Sequence, residues 1–325
     1  MNPHAALMWH GGQTGAAARL YPAAPHPWLD LSTGISPWAY PTGRIAPPLW
    51  QELPSRDAIQ GLETAAAEAF GVSDADQIAA VPGSDIAIRL LPSILPAERV
   101  AIVGRGYSGY RAAWPGARIC PWDEACRADL LICANPNNPD GAVIPPRHIR
   151  QLSTRRVVDE AFADAMPGTS ILPDRLGAVV LRSFGKFFGL AGVRLGFVIA
   201  DAPLIRQLRG LLGDWPVSGP AIAIGTAAYR DREWQSLQRE RLAEGSARLA
   251  ALLLDQGLDD VAGTANFRLC ETPDSPGLFA HLCKAGILTR PFSDRPGQIR
   301  LGIPGPKTDW TRLEAALQSW RKSND

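Results

Sequence analysis

The chain has 325 residues, enough to bury a sizeable core, and its 33 lysines and arginines nearly balance 32 aspartates and glutamates for a net charge of +1. No basic run is interleaved with aromatics, so a nucleic-acid partner is not expected. No apolar run approaches the ~18 residues that span a bilayer, so neither is a membrane.

In chain order, residues 1–12 are short, polar and Gly-containing, unlike a basic-then-apolar export signal. Residues 1–60 are rich in Pro, Gly and Trp with little periodicity, which predicts an ordered arm with short helical turns. Residues 58–70 read as a helix that Gly71 terminates. Apolar runs then alternate with helical stretches: strands at 77–81, 99–103, 130–133, 156–158, 178–181 and 193–199, with a helix at 84–95. Near-continuous Val, Ile, Leu and Ala runs of this kind indicate an α/β fold with a mostly parallel sheet covered on both faces. Residues 233–258 predict one amphipathic helix, with Leu237, Leu242, Leu249 and Leu253 broadly at helical spacing. Strands at 267–270 and 298–302 and a helix at 310–321 behind Thr308-Asp309 complete a smaller α+β domain. The organisation expected is an arm over 1–35, a large domain over 36–225 and a small C-terminal domain over 226–325. The cysteines (Cys120, Cys126, Cys133, Cys270, Cys283) show neither a Cys-x-x-Cys pair nor a histidine at metal-ligand spacing. Reduced thiols in a cytoplasmic protein, without a metal site, are the expectation.

The chemistry concentrates where the run Ala178-Val179-Val180-Leu181-Arg182 gives way to Ser183-Phe184-Gly185-Lys186-Phe187-Phe188-Gly189. A lysine in so apolar a setting is a candidate for use of its amine, because desolvation favours the neutral form and a free amine condenses with an aldehyde. Taken alone, Lys186 reads equally as a surface lysine in a Gly-rich turn. Sites in open α/β sheets lie beyond the carboxyl ends of the strands, and several further groups sit at such ends. Asp159, in Val157-Val158-Asp159-Glu160-Ala161-Phe162, is a carboxylate aimed into a strand-end crevice, a helix N-cap or a solvated loop carboxylate. Pro82-Gly83-Ser84-Asp85 opens a helix after a strand; it reads as a phosphate cradle of backbone N–H groups or as a plain capping turn in which Ser84 and Asp85 cap. Tyr107, in Gly106-Tyr107-Ser108-Gly109-Tyr110, can stack on a flat ring, and Asn138, in the tight-turn sequence Asn135-Pro136-Asn137-Asn138-Pro139, can donate to one. Arg194 adds a cation eight residues after the lysine.

In this order and spacing, nearly the whole chain resembles the fold-type I enzymes that use pyridoxal phosphate, relatives of the class I and II aminotransferases. The resemblance implies a large domain with a mostly parallel sheet, a smaller α+β domain, and a homodimer. It implies that Lys186 forms the Schiff base with pyridoxal 5'-phosphate, that Asp159 faces the pyridine nitrogen and Asn138 the phenolate oxygen, and that Tyr107 lies over the ring. Gly83, Ser84, Ser183 and Arg194 would hold the cofactor phosphate, with Asp85 also among the cofactor-binding residues. Arg300, in Ile299-Arg300-Leu301-Gly302, matches the arginine that grips a substrate carboxylate, a task suited to a bidentate guanidinium.

His10-Gly11-Gly12 and Leu29-Asp30-Leu31-Ser32-Thr33-Gly34 narrow the resemblance to the L-threonine-O-3-phosphate decarboxylases of cobalamin biosynthesis. By that resemblance, His10, Gly11, Gly12 and Arg290 receive the substrate's phosphate, with Asn138 also reaching substrate. The product would be (R)-1-aminopropan-2-yl phosphate. The bond broken is the one at Cα held perpendicular to the ring, and the sequence leaves open an aminotransferase acting on a phosphorylated substrate such as histidinol phosphate. Three positions depart from the family pattern: Phe162 stands where a tyrosine is frequent, Gly185 where Ser or Thr precedes the lysine, and Leu53 where an aromatic precedes Pro54.

Overall fold

A computed structural model gives the fold and describes residues 7, 10–125 and 127–322. Cys126 and most of the expected polar start (residues 1–6, 8 and 9) lie outside the described residues. The chain divides into two compact units, residues 39–238 and residues 1–38 with 239–325. This grouping differs from the arm, 36–225 and 226–325 division read from the sequence. The arm's strand Leu29–Asp30 pairs in parallel with Ile287–Leu288, which ties it to the C-terminal unit. At the other boundary, Tyr229 and Trp234 pack on the aromatic side chains around the lysine turn, which holds residues 226–238 in the larger unit.

The larger unit carries a seven-stranded sheet. Its strands in chain order are β1 (Ile78–Val81), β2 (Val100–Val103), β3 (Arg118–Cys120), β4 (Leu130–Ala134), β5 (Arg155–Asp159), β6 (Val179–Ser183) and β7 (Gly196–Ile199). They lie in the spatial order β1-β7-β6-β5-β4-β2-β3. Strands β2 to β6 are mutually parallel, and only β7 runs against its neighbours β1 and β6. Strands β1, β4 and β7 are buried at every position, as expected for a sheet covered on both faces. The helices that matter for the site are α1 (Arg56–Phe70), α2 (Ser84–Ile94), α3 (Ser108–Ala113), α4 (Phe184–Phe187), α5 (Ala202–Leu212) and α6 (Gly219–Arg230).

Local chemistry accounts for the element ends. Ser55 caps α1 by accepting from the Ala58 N–H, and Gly71 ends it at φ 73°, a left-handed conformation that costs glycine little. The strand expected over 193–199 begins only at Gly196, because Ala191–Val193 form a tight turn and Arg194 adopts φ 55°. Strand β1 lies at the sheet edge, where unpaired N–H groups need a cover. Glu63 of α1 supplies it: Oε1 accepts from the Ala80 N–H at 2.9 Å and Oε2 from Arg209 of α5 at 2.8 Å. Truncation of this buried carboxylate, Glu63→Ala, should therefore cost roughly 1–3 kcal/mol by stranding the Ala80 N–H, while Arg209 keeps the Ile78 carbonyl as a partner. Urea unfolding measures it; an unchanged midpoint would mean that water replaces Glu63 without loss.

The smaller unit holds a four-stranded antiparallel sheet in the order Arg290–Pro291, Gln298–Gly302, Phe267–Glu271, Asp259–Thr264. The strand Asp259–Thr264 carries two aspartates and a glycine and has no strand signature; pairing with Phe267–Glu271 creates it. Helices Ser275–Lys284 and Lys307–Lys322 supply Leu278, Phe279, Leu313 and Leu317 to its core. The long helix forms over Arg232–Asp255, slightly short of the expected span. Leu242, Leu249 and Leu253 are fully buried on it, whereas Leu237 is 45% exposed and lies off the buried face.

Candidate active site

Register fixes the site. Ala134 of β4 lies opposite Asp159 of β5, Asp159 opposite Leu181 of β6, and both Ser183 and Val81 opposite Gly196 of β7. The carboxyl ends of the parallel strands therefore share one sheet edge. Gly83-Ser84, Tyr107, Asn138, Asp159, Ser183-Lys186 and Arg194 all follow or flank those ends, and the fold brings these predicted residues together.

Lys186 sits on α4, a single turn whose Phe184, Phe187 and Phe188 are buried at helical spacing. Phe184 stacks on Phe188 at 4.4 Å between centroids, Phe188 on Trp234 at 5.6 Å, and the Gln238 amide donates to the Phe187 carbonyl at 3.0 Å. The turn is thus clamped from one side, and the half-buried Lys186 is presented on the other. Its ammonium lies 5.7 Å from the ring centroid of buried Phe162. The departure from tyrosine at 162 thus leaves an apolar face against the lysine. The Gly185 departure has a packing reason, since a Cβ there would stand 2.8 Å from the Ala191 Cα.

Asp159 is buried, and that burial raises its carboxyl pKa above the usual value. Three groups pull it back: the Tyr110 hydroxyl, donating to Oδ2 at 2.6 Å; the Ala161 N–H, donating to Oδ1 at 3.0 Å; and the Lys186 charge. The adjacent Glu160 points the other way along the pleat and binds Arg182 at 3.0 Å, which also binds Asp164 at 3.0 Å. The buried Arg182 charge is thereby committed away from Asp159.

The loop after β4 is built by its own amides. Asn135 donates to the Ile144 and Thr169 carbonyls at 3.0 and 2.7 Å, and Asn137 donates to Asp140 at 2.7 Å. Asn138, half-buried, follows directly on this frame.

At the head of α2, Gly83 is the cap residue at φ 91°, with no side-chain cap. A Cβ there would lie 2.6 Å from Arg194 Nη2, so glycine leaves room for the guanidinium against the helix start. The expected capping by Ser84 and Asp85 is not what forms. The Asp85 carboxylate accepts from Tyr107 Oη at 2.8 Å and pairs with Arg89 at 3.0 Å. It therefore anchors the Tyr107 ring. Burial and this bond hold the Tyr107 phenol firmly protonated. Tyr107 meets Tyr110 edge to face at 5.7 Å. Tyr110, absent from the sequence-based set, is signalled only by its spacing of three from Tyr107, which places the two side by side on one helical turn.

His10, Gly11, Gly12, Arg290 and Arg300 belong to the smaller unit. Gly11 packs so closely that a Cβ would stand 2.4 Å from the Ser32 carbonyl oxygen. The Gly12 N–H donates to Ser32 Oγ at 2.8 Å, so this amide, expected to meet a phosphate, is engaged internally. Ser32 is itself fixed by Asp30 Oδ1, and its carbonyl accepts from Arg300 Nη2. Arg300 is buried, lies 4.8 Å from the Phe267 ring centroid, and pairs directly across the strands with Arg290. Burial first, and the Arg290 charge second, lower the Arg300 pKa, while Asp30 opposes them. Like charges placed opposite one another destabilise a sheet, and an anion between them removes the conflict. Among the described residues no group of three His, Cys, Asp or Glu forms a metal-binding cluster, and no helix is long and apolar enough to cross a membrane.

The fold and this lysine-centred site define a member of a known class: the chain belongs to the aminotransferase class I and II family, whose profile matches residues 45–317. Within it, the chain is similar to the threonine-phosphate decarboxylase of Pseudomonas aeruginosa, 38% identical over 97% of this chain and 99% of the relative. It is equally similar, at 38% identity, to the threonine-phosphate decarboxylase of a Sinorhizobium species, over 95% of this chain and 97% of the relative. The histidinol-phosphate aminotransferase of Sinorhizobium meliloti, solved with pyridoxal-5'-phosphate, shares the fold at a TM-score of 0.81 and 20% identity, covering 96% of this chain and 95% of that one. Family members work with pyridoxal phosphate, and the donor set fits it. A lysine and a buried carboxylate stand at neighbouring strand ends, and Gly83 and Arg194 form a cradle that a single Cβ would fill.

Proposed function

We propose that this protein decarboxylates L-threonine O-3-phosphate to (R)-1-aminopropan-2-yl phosphate and CO2, using pyridoxal phosphate, as a step of cobalamin biosynthesis. The observation that carries this reading is Lys186 with the buried Asp159 at the strand ends of the larger unit; within the smaller unit, Arg290 and Arg300 occupy directly opposed positions on paired strands. Two arginines suit a substrate with two anionic groups, a carboxylate and a phosphate.

When bound, the cofactor supplies an electron sink for the pair left at Cα. The Lys186 amine would hold its aldehyde carbon, the Asp159 carboxylate the proton on its ring nitrogen, and Asn138 its phenolate oxygen. Gly83, Ser84, Ser183 and Arg194 would hold its phosphate, with Tyr107 against the ring face. Arg300 would orient the substrate carboxylate, while Arg290, His10 and Gly11 would take the phosphate. Loss of CO2 requires one proton at Cα, and Lys186 is the group whose amine would deliver it. Phe162 presents no hydroxyl in this region and helps to exclude water.

Purified protein loaded with pyridoxal phosphate should release CO2 from L-threonine phosphate and form the amino-alcohol phosphate. An aminotransferase acting on histidinol phosphate predicts instead amino transfer to 2-oxoglutarate without CO2, and that result would replace the reading. The working form is a homodimer in the cytoplasm. Apolar Trp50 and Leu53 stand 68% and 69% exposed beside Leu49, and a second copy covering them accounts for that exposure. Sedimentation at micromolar concentration should give twice the chain mass; a monomer would reject the pairing.

A further inference from the structure

We infer that Tyr110 is a positioning residue of this site: its buried hydroxyl fixes Oδ2 of Asp159 and keeps that carboxylate in the ionised form the cofactor's ring nitrogen needs. The inference rests on the reading that Asp159 faces that nitrogen. The geometry is restrictive. Tyr110 is fully buried on α3, and its hydroxyl reaches Oδ2 at 2.6 Å, within the range of a charge-assisted O–H to carboxylate bond. The Ala161 N–H takes Oδ1 at 3.0 Å, so each carboxylate oxygen has one internal donor and the plane of the carboxyl is set.

The surroundings leave this task to few groups. Lys186 on α4 is the cation acting on Asp159, and its amine would be engaged by the cofactor. Arg182 of β6 is spent on Glu160 and Asp164. Cys133 of β4 faces the same buried region, and its thiol is pushed up to about 12 by burial and by Glu160 and Asp159, so it adds no charge. Tyr107, at the head of α3, directs its hydroxyl to Asp85 of α2, not to Asp159. Tyr110 itself stays protonated, since burial and the neighbouring Asp159 charge raise its pKa well above the usual phenol value. It is therefore a permanent donor. A carboxylate buried this deeply gains a proton readily unless hydrogen bonds favour its charged form. Once neutral, Asp159 no longer stabilises a positive ring nitrogen.

The test reads Asp159 directly and without cofactor. In protein labelled with carboxyl-13C aspartate, the resonance lost in Asp159→Asn identifies Asp159, and its pH titration gives the midpoint. Tyr110→Phe keeps the volume and removes the donor, so the midpoint should rise by about one pH unit. Replacing Tyr110 by 3-fluorotyrosine makes the hydroxyl a stronger donor and should lower the midpoint, a sign that loss of packing does not produce. This second arm also decides the matter should Tyr110→Phe fail to fold. Tyr229→Phe removes another buried hydroxyl, one without a hydrogen-bond partner among the described residues, and should leave the midpoint in place. In loaded protein, the acid limb of the visible absorbance should move to higher pH in Tyr110→Phe. A midpoint unmoved by both Tyr110 replacements overturns the inference. A protein that binds no pyridoxal phosphate overturns the reading of the site, while the carboxyl titration still decides the role of Tyr110.

Discussion

Lys186→Ala is expected to abolish the visible chromophore of the loaded protein and to lower CO2 release from threonine phosphate by at least about 10³-fold. No other lysine among the described residues stands at the strand-end edge that holds Asp159, Ser183 and Arg194, so no neighbouring amine replaces it. The fold should survive the change. Lys186 is half-buried, and the turn that carries it is clamped by Phe184, Phe187, Phe188 and Gln238, none of which depends on the lysine. The unfolding free energy should change by less than about 1 kcal/mol. Absorbance with a borohydride-reduction control measures the first effect, and denaturant unfolding the second. A variant that keeps a reducible chromophore would assign the Schiff base to another residue.

Arg300→Lys is expected to raise KM for threonine phosphate roughly 100-fold, about 2.8 kcal/mol, because a lysine cannot reproduce the forked contact with a carboxylate. Arg290→Gln should weaken the phosphorylated substrate while leaving binding of unphosphorylated threonine nearly unchanged. The stability of this second variant should run in the opposite sense to its binding. Arg290 and Arg300 face one another across the strands, and the Arg290 charge presses on the buried Arg300. Removing it relieves that repulsion, so the ligand-free protein should be as stable as the parent or slightly more so. Steady-state kinetics on both substrates, with thermal unfolding of the free protein, separates the two effects. Equal losses on phosphorylated and plain threonine would remove Arg290 from phosphate recognition.

How far the sequence carried the site follows from which groups act through local chain and which through contact. Gly83, Asp159, Ser183 and Lys186 each end or follow a short apolar run, and in a parallel sheet such ends fall at one edge. Their grouping could be read without coordinates. Asp85 could not: its position at a helix start suggests a cap, but the Tyr107 hydroxyl reaches it from another helix and redirects it. Nor could Gly12, which the resemblance places at a phosphate: Ser32, twenty residues on, accepts its N–H. Tyr110 and the Arg182, Glu160 and Asp164 network carry no local signature, since each acts across strands or between a helix and a strand. Leu237 matched a helical stripe too loosely, because the buried face of that helix is fixed by what packs on it and not by spacing alone.

By itself, then, the sequence determined the alternation of strands and helices, the strand-end placement of Lys186 and Asp159, and the presence of two candidate arginines for anions. Those depend on residue period and on turn chemistry, which act over a few neighbours. Only the tertiary structure decided that Arg290 and Arg300 are cross-strand partners, that Phe162 lies against the lysine, and that Asp159 owes its orientation to Tyr110. These are contacts between distant parts of the chain inside a buried, low-dielectric setting, where a single hydrogen bond or like charge changes the protonation of its neighbour. The lysine marks where chemistry can occur, and the packed groups around it set its electrostatics.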